Sequence, residues 1–399
     1  MRNFIRFIYQ GLHIAIKSKY KYLLVLFALW LFRVEFIPDL GSGEAAKALQ
    51  VGCLFGMLYM ILKWKSSIIF FSFNKTNMAI KSVLWLYVFA LFSTLWAFNP
   101  QFAFFLSFQN LVLIITLVFI YSRFQTFKNA ERMFVLFVSI MIIFESISIR
   151  FTQRVLIAHF LPAASSAAIL FSYSIAEYIN TSSYEKARKK ILKYSIVLSI
   201  IILLTCTSGG ANASAAFGLS VALFFSKKRF YAVLMFAAAA FLFFNRDLIN
   251  ELIMFLMPGK TMEVIESGNG RETIWNLLFQ IAAERPWFGW GFACIERVMS
   301  EEAIKGQILS DAHNSYIGIY GSLGIVGCIF LSIHILNQLF AIYPRIGKPG
   351  YAGLFAATCC ALLNSYTYGF LSGKACSITV TYFSLVVLTF YYKKLKINK

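Results

Sequence analysis

Two residues in one polar stretch of this sequence have the types to do group-transfer chemistry, Arg271 and His313. An arginine presents a planar fork of donors that matches a phosphate group. From Arg271 to Glu284 the apolar residues Ile274, Leu277, Leu278 and Ile281 recur at i, i+3, i+4 and i+7, which predicts a helix with Arg271 in its first turn. Free backbone N–H groups and the helix dipole favour an anion at that position. The same position also suits a solvated or salt-bridged arginine. His313 can take a hydroxyl proton near neutral pH, with Asp311 or Asn314 fixing its tautomer. It could equally be an interfacial histidine that only caps a helix.

Both residues lie in one long break in hydrophobicity, from about Asn245 to His313. This island holds ten of the seventeen acidic residues and one of the four histidines. Within it, Asp247 to Met257 has the spacing of a helix lying on a membrane surface, ended by Pro258-Gly259. Ser267 to Gly270 reads as a polar turn ahead of Arg271. Pro286, Gly289 and Gly291 make a bend, and Trp287 and Trp290 suit an aromatic belt at a bilayer surface.

The elements that must position this island are membrane helices. The chain has 399 residues, 59% hydrophobic and 14% charged, well below the charged content of soluble domains. Twelve apolar runs recur, at roughly 20–38, 45–62, 79–97, 102–121, 133–149, 161–179, 194–207, 210–225, 230–245, 314–342, 350–369 and 375–392. Each is read as long enough to cross a hydrocarbon core of about 30 Å. Lipid makes spanning backbone satisfy its own hydrogen bonds, so runs of this length are helices and not barrel strands. The expected fold is all-α and polytopic, with about twelve transmembrane helices. Residues 1–245 form an N-terminal bundle of nine spans, 246–313 the large loop with short helices, and 314–399 three further spans.

The net charge of +20 is a topology signal, not a nucleic-acid footprint. Lysine and arginine fill the N-terminus, every second loop and the tail, which the positive-inside rule assigns to the cytoplasm. The island falls on the other side. Both termini are then cytoplasmic, and the basic start leads into a retained helix without a cleavage pattern. Seven cysteines lie almost all within spans; Cys294, in the island, has no partner there, so no disulfide framework is expected. Arg33 and Glu35 form an intramembrane site or a local ion pair. Arg150, Arg154 and His159 run against the charge trend and make an outward basic patch for an anionic partner. Thr207 to Asn212 is a small-residue turn, for close helix packing or for a backbone cradle.

In order, Arg271 and Trp275, then Pro286, Gly289 and Gly291, then His313 and Asn314 ahead of Gly324 and Gly327, resemble the shared domain of the bacterial O-antigen ligase and polymerase superfamily. The likeness covers roughly residues 267–330. It implies a GT-C-like membrane glycosyltransferase whose donor is a glycan on undecaprenyl diphosphate, moved en bloc at the periplasmic face of the inner membrane without a metal or other cofactor. The acceptor is lipid A–core or another glycan, and other glycan-assembly proteins are partners. Arg271, with Arg150 and Arg154, would hold the donor diphosphate; His313 would serve the acceptor hydroxyl, supported by Asn314, Trp275 and Asp311. One departure stands out. The family often places an arginine in a turn between two central spans, where this sequence has Ser208-Gly209-Gly210. A transporter of lipid-linked sugar would instead show repeats and midplane charges, and a membrane scaffold would need neither Arg271 nor His313.

Overall fold

The computed structural model describes residues 21–32, 44–63, 77–124, 126–153, 160–182, 184–206, 208–226, 228–244, 251, 271–302 and 312–389. Arg33, Glu35, Arg154, His159, Asp311, the 267–270 turn and nearly all of the expected 247–257 helix lie outside these residues. Among the described residues all regular structure is helical. In chain order the helices are α1 (Lys21–Leu31), α2 (Glu44–Lys63), α3 (Met78–Phe92), α4 (Pro100–Ser122), α5 (Phe127–Gln153), α6 (Leu161–Asn180), α7 (Lys186–Thr205), α8 (Gly209–Phe224), α9 (Arg229–Phe244), α10 (Arg271–Ala283), α11 (Ile295–Glu302), α12 (Ser315–Ile342), α13 (Tyr351–Asn364) and α14 (Ser377–Leu388).

Every one of the twelve apolar runs contains a helix, and the polar island supplies α10 and α11. Among the described residues, four helical stretches are long and apolar enough to cross a membrane, at Met78–Leu95, Pro100–Ser122, Phe127–Arg150 and Ser315–Arg345; several others are shorter apolar helices. Their ends are written in the local sequence. Asn99 accepts the Phe102 N–H at 3.1 Å and Pro100 follows it, so α4 starts where capping and a fixed φ coincide. Ser208 caps α8 in the same way.

The packing centre is α6, which touches α5, α7, α8, α13 and α14. Its first turns, Ala163 to Ala168, are alanine and serine throughout and fully buried. Side chains this small let neighbouring backbones approach, which is how helices associate where the solvent is itself apolar. Gly218 of α8 follows the same rule, since a Cβ there would lie 2.0 Å from the Ser172 hydroxyl.

One run departs from the simple span that hydropathy predicts. Inside α12, Gly324 has φ 66° and ψ −163°, a conformation open essentially to glycine alone. The helix is therefore two arms. The Ser315 N–H donates to the Ser365 carbonyl, and the Gln338 amide approaches the Thr358 hydroxyl at 3.5 Å. Ser365 and Thr358 are about 10 Å apart along α13, whereas an unbroken α12 would separate Ser315 and Gln338 by about 35 Å. The first arm is turned back across the bundle. The second runs antiparallel to α3, with Phe330 against Phe89 and His334 bonded to Ser82.

Away from the island, one ion network ties four helices together. Arg188 of α7 donates from Nε and Nη2 to the Glu131 carboxylate of α5 at 2.9 and 2.6 Å, and also to Glu177 of α6. Glu177 in turn accepts the Gly350 and Gly353 N–H groups at the start of α13, both at 2.8 Å. All three charged side chains are under 9% exposed. Removing one partner leaves buried charge uncompensated, so Arg188→Ala is expected to cost about 3–5 kcal/mol of stability. Thermal unfolding of the detergent-purified protein measures this, and a wild-type melting temperature would contradict the assignment.

Candidate active site

The Pro/Gly bend of the island is the part that fits the broken helix. Breaking α12 leaves carbonyls at the end of its first arm and N–H groups at the start of its second in need of partners. The Trp290 and Gly291 N–H groups donate to the Gly321 and Ser322 carbonyls at 3.1 and 2.8 Å. The Ile325 and Val326 N–H groups donate to the Pro286 and Trp287 carbonyls at 2.8 and 3.2 Å. The bend thus satisfies four such groups, as an interrupted membrane helix requires. The approach is backbone to backbone. A Cβ on Gly289 would lie 2.4 Å from the Ser322 carbonyl carbon, and one on Gly324 would lie 2.3 Å from that of Trp287.

The other side of the bend rests on the connection between α3 and α4. The Phe98 N–H donates to the Trp290 carbonyl at 2.8 Å, the Phe292 N–H to the Ser93 hydroxyl at 2.9 Å, and the Trp96 indole N–H to the Phe288 carbonyl at 3.0 Å. Arg285 stacks on Trp290 and Arg297 on Phe102, so these two island arginines face aromatic rings. Trp290 is an internal tie and not a belt residue alone, because its indole N–H donates to the Ile281 carbonyl. Trp287 is exposed. Cys294 is buried against the Asn99 carbonyl at 3.6 Å, and burial raises its thiol above the ordinary range. It is a packing residue.

Helices α10 and α11 have a small core of their own, made by Leu278, Ile281, Ile295, Val298, Met299 and Ala312. Ala312 is the residue before His313, and its peptide groups are held from both sides. Its N–H donates to the Glu296 carboxylate of α11 at 3.1 Å, and its carbonyl accepts the Trp275 indole N–H of α10 at 2.9 Å. His313 itself is half-buried with φ 48°, one of two non-glycine residues in the left-handed region among those described. Bulkier side chains rarely adopt that backbone, and histidine is among the residues that do. Asn314 then caps α12, accepting the Tyr316 and Ile317 N–H groups at 2.9 and 3.1 Å. Its carbonyl oxygen is engaged there.

Arg271 begins α10, one helical turn or about 6 Å before Trp275. The indole that reaches Ala312 therefore links the arginine end of α10 to the histidine turn. Trp275→Phe keeps the ring but removes the N–H, leaving a carbonyl short of a donor. It is expected to lose about 1 kcal/mol of stability, with a larger proportional loss of function. A variant that matches wild type in both melting and function would show that the bond is incidental.

The same end of the bundle receives the Ser208–Gly210 turn. Gly210 packs on Thr367, where a Cβ would lie 2.4 Å from the hydroxyl. Close packing is what this turn's small residues provide. Thr367 adjoins Tyr366, which stacks edge-on against Trp275 at 5.2 Å. The Ser315 hydroxyl donates to the Tyr368 carbonyl at 3.0 Å. Arg150, from the last turn of α5, donates to its own Ser146 carbonyl and approaches the Cys206 sulfur at 3.9 Å, two residues before Ser208. A guanidinium thus stands beside the turn where the sequence lacks one.

Sequence reasoning missed Glu296 and the 365–368 turn. Glu296 was one acid among ten, with no spacing to tie it to a backbone group sixteen residues away. The 365–368 turn was hidden because the surrounding run reads as plain membrane apolarity.

Comparison with known proteins bears directly on this segment. Residues 194–332 match the family described as O-antigen ligase. This stretch runs from α7 into the second arm of α12, and takes in the Ser208–Gly210 turn, Arg271, Trp275, the bend, His313 and Gly324. A separate similarity, 26% identity over 94 residues, is to the S-adenosylmethionine permease SAM3 of Saccharomyces cerevisiae (strain ATCC 204508 / S288c). It covers 23% of this chain, and the chain spans only 16% of the length of that permease. Over residues 194–332 the chain is thus similar to the O-antigen ligase family, and its helical fold with several apolar helices fits a membrane protein.

Proposed function

We propose that this protein moves a glycan en bloc from undecaprenyl diphosphate onto a sugar hydroxyl at the periplasmic face of the bacterial inner membrane. The observation that carries this reading is the bond from Trp275 to Ala312, which ties the arginine-led helix to the histidine turn. His313 takes the proton of the acceptor hydroxyl as its oxygen attacks the anomeric carbon. The bond from that carbon to the diphosphate breaks, and undecaprenyl diphosphate leaves with the electron pair. Arg271, with Arg150 and Arg154, stabilises the charge that gathers on it, without a metal. Asn314 and Trp275 support the histidine turn, and Asp311 stands two residues before His313.

An apolar groove of about 430 Å³ supports a place for the lipid tail. It lies between α8, α12 and α13, lined by residues including Phe217, Tyr316, Cys359, Leu363 and Tyr366. Tyr366 also touches Trp275, so the groove reaches the proposed centre. Twelve spans with cytoplasmic termini, as the loop charges indicate, put this end of the bundle outside. The acceptor is lipid A–core for a ligase, or a second lipid-linked unit for a polymerase. A transporter of lipid-linked sugar has no use for an arginine and a histidine coupled in this way.

Deleting the gene and examining lipopolysaccharide banding tests the proposal. Loss of every glycan on core indicates a ligase, and core carrying a single repeat indicates a polymerase. Unchanged banding and unchanged surface glycan would overturn both.

A further inference from the structure

We infer that Glu296 is a positioning residue for the transfer, acting on His313 through the backbone of Ala312. The inference rests on the proposed role of His313 as the group that takes the acceptor proton. His313 has a left-handed backbone at φ 48°, which an unsupported histidine leaves readily for the broader right-handed and extended regions. Such a conformation persists only where the surroundings over-determine it. Here the determinants are visible. On one side the Ala312 N–H donates to Glu296 Oε1 at 3.1 Å; on the other the Ala312 carbonyl accepts the Trp275 Nε1–H at 2.9 Å. On the far side of His313, Asn314 is fixed by its two capping bonds. The peptide unit before the histidine and the residue after it are thus clamped.

The Glu296 side chain has the chemistry this task needs. Its carboxylate is a charged acceptor for a backbone N–H, about twice as strong as a neutral one. It is half-buried in the first turn of α11, where the helix dipole also favours an anion. Two neighbours on α11, Val298 and Met299, are locked in the core that contains Ala312, so the carboxylate is carried on a rigid element. Releasing this clamp would let the imidazole drift from the position for attack, and displacement of about 1 Å can lower a rate by about 100-fold.

The test compares Glu296→Ala, Glu296→Gln, Trp275→Phe, His313→Asn and wild type in detergent-purified full-length protein, given a polyprenyl-diphosphate-linked glycan and acceptor. Glu296→Ala is expected to lower kcat about 10- to 100-fold, with KM for both substrates within about twofold and a melting temperature no lower than that of Trp275→Phe. Glu296→Gln keeps an oxygen acceptor and is expected to recover most of the lost kcat. Wild-type kcat in Glu296→Ala would overturn the inference. So would a loss that glutamine does not restore, a loss confined to KM, or one accompanied by a melting temperature below that of Trp275→Phe. If His313→Asn transfers glycan at the wild-type rate, the catalytic reading beneath the inference fails instead, and the two failures are told apart.

Discussion

Replacing His313 with asparagine is expected to abolish glycan transfer while the protein inserts and accumulates normally. Asparagine is the informative substitution because it tolerates the left-handed backbone that His313 occupies. Alanine would remove the base and strain the turn together. A positioned general base contributes roughly 100- to 10,000-fold, so the residual rate should fall near the limit of detection. Arg271→Ala should fall by a similar margin, since removing one preorganised donor from developing charge costs roughly 100- to 1,000-fold. Arg271→Lys keeps charge but loses the planar fork and should recover only part of the activity. Surface-glycan blots beside membrane-fraction blots of the protein measure all three. Wild-type glycan from either null variant would remove that residue from the mechanism.

Gly324→Ala is expected to have the second largest effect, for a reason unrelated to chemistry at the reacting atoms. Alanine at φ 66° and ψ −163° is strained wherever it sits, and here its methyl carbon would meet the Trp287 carbonyl carbon at 2.3 Å. The bend must then withdraw, and up to four backbone bonds at the broken ends of α12 open with it. Strain and unmade bonds together amount to roughly 3–5 kcal/mol, enough to unseat the site. Thermal unfolding and transfer activity should both drop. Gly289→Ala, which meets Ser322 from the opposite side, should behave alike. By contrast, Gly347→Ala, with nothing within 4 Å of its added carbon, should be silent. If Gly324→Ala melts as wild type does, the backbone contact between bend and helix is wrong.

Much of this was legible in the sequence, for identifiable reasons. Helix positions followed from apolar run length, because lipid leaves the backbone few options. The start of α10 at Arg271 followed from the period of Ile274, Leu277, Leu278 and Ile281. The order of arginine, bend and histidine points to the family that residues 194–332 match. What stayed hidden were relations between residues distant in sequence. Hydropathy averages over a window, so the run 314–342 reads as one span although Gly324 breaks it in two. Trp290 reads as an interfacial residue by type, yet its N–H is used internally. Arg150 was set apart by its unexpected charge, but only the fold places it beside Cys206 and the arginine-poor turn. Glu296 carried no sequence signal, because its partner is a backbone N–H, which no residue type reveals.

The most direct test of the central claim is the stoichiometry of leaving group to product in a purified system. Full-length protein in detergent or nanodiscs would be given a glycan on undecaprenyl diphosphate and an acceptor, with undecaprenyl diphosphate and glycosylated acceptor measured together. The account predicts that wild type releases one undecaprenyl diphosphate for each glycan transferred, and that His313→Asn and Arg271→Ala release neither. Transfer by both variants at the wild-type rate, or wild-type turnover without release of undecaprenyl diphosphate, would contradict it.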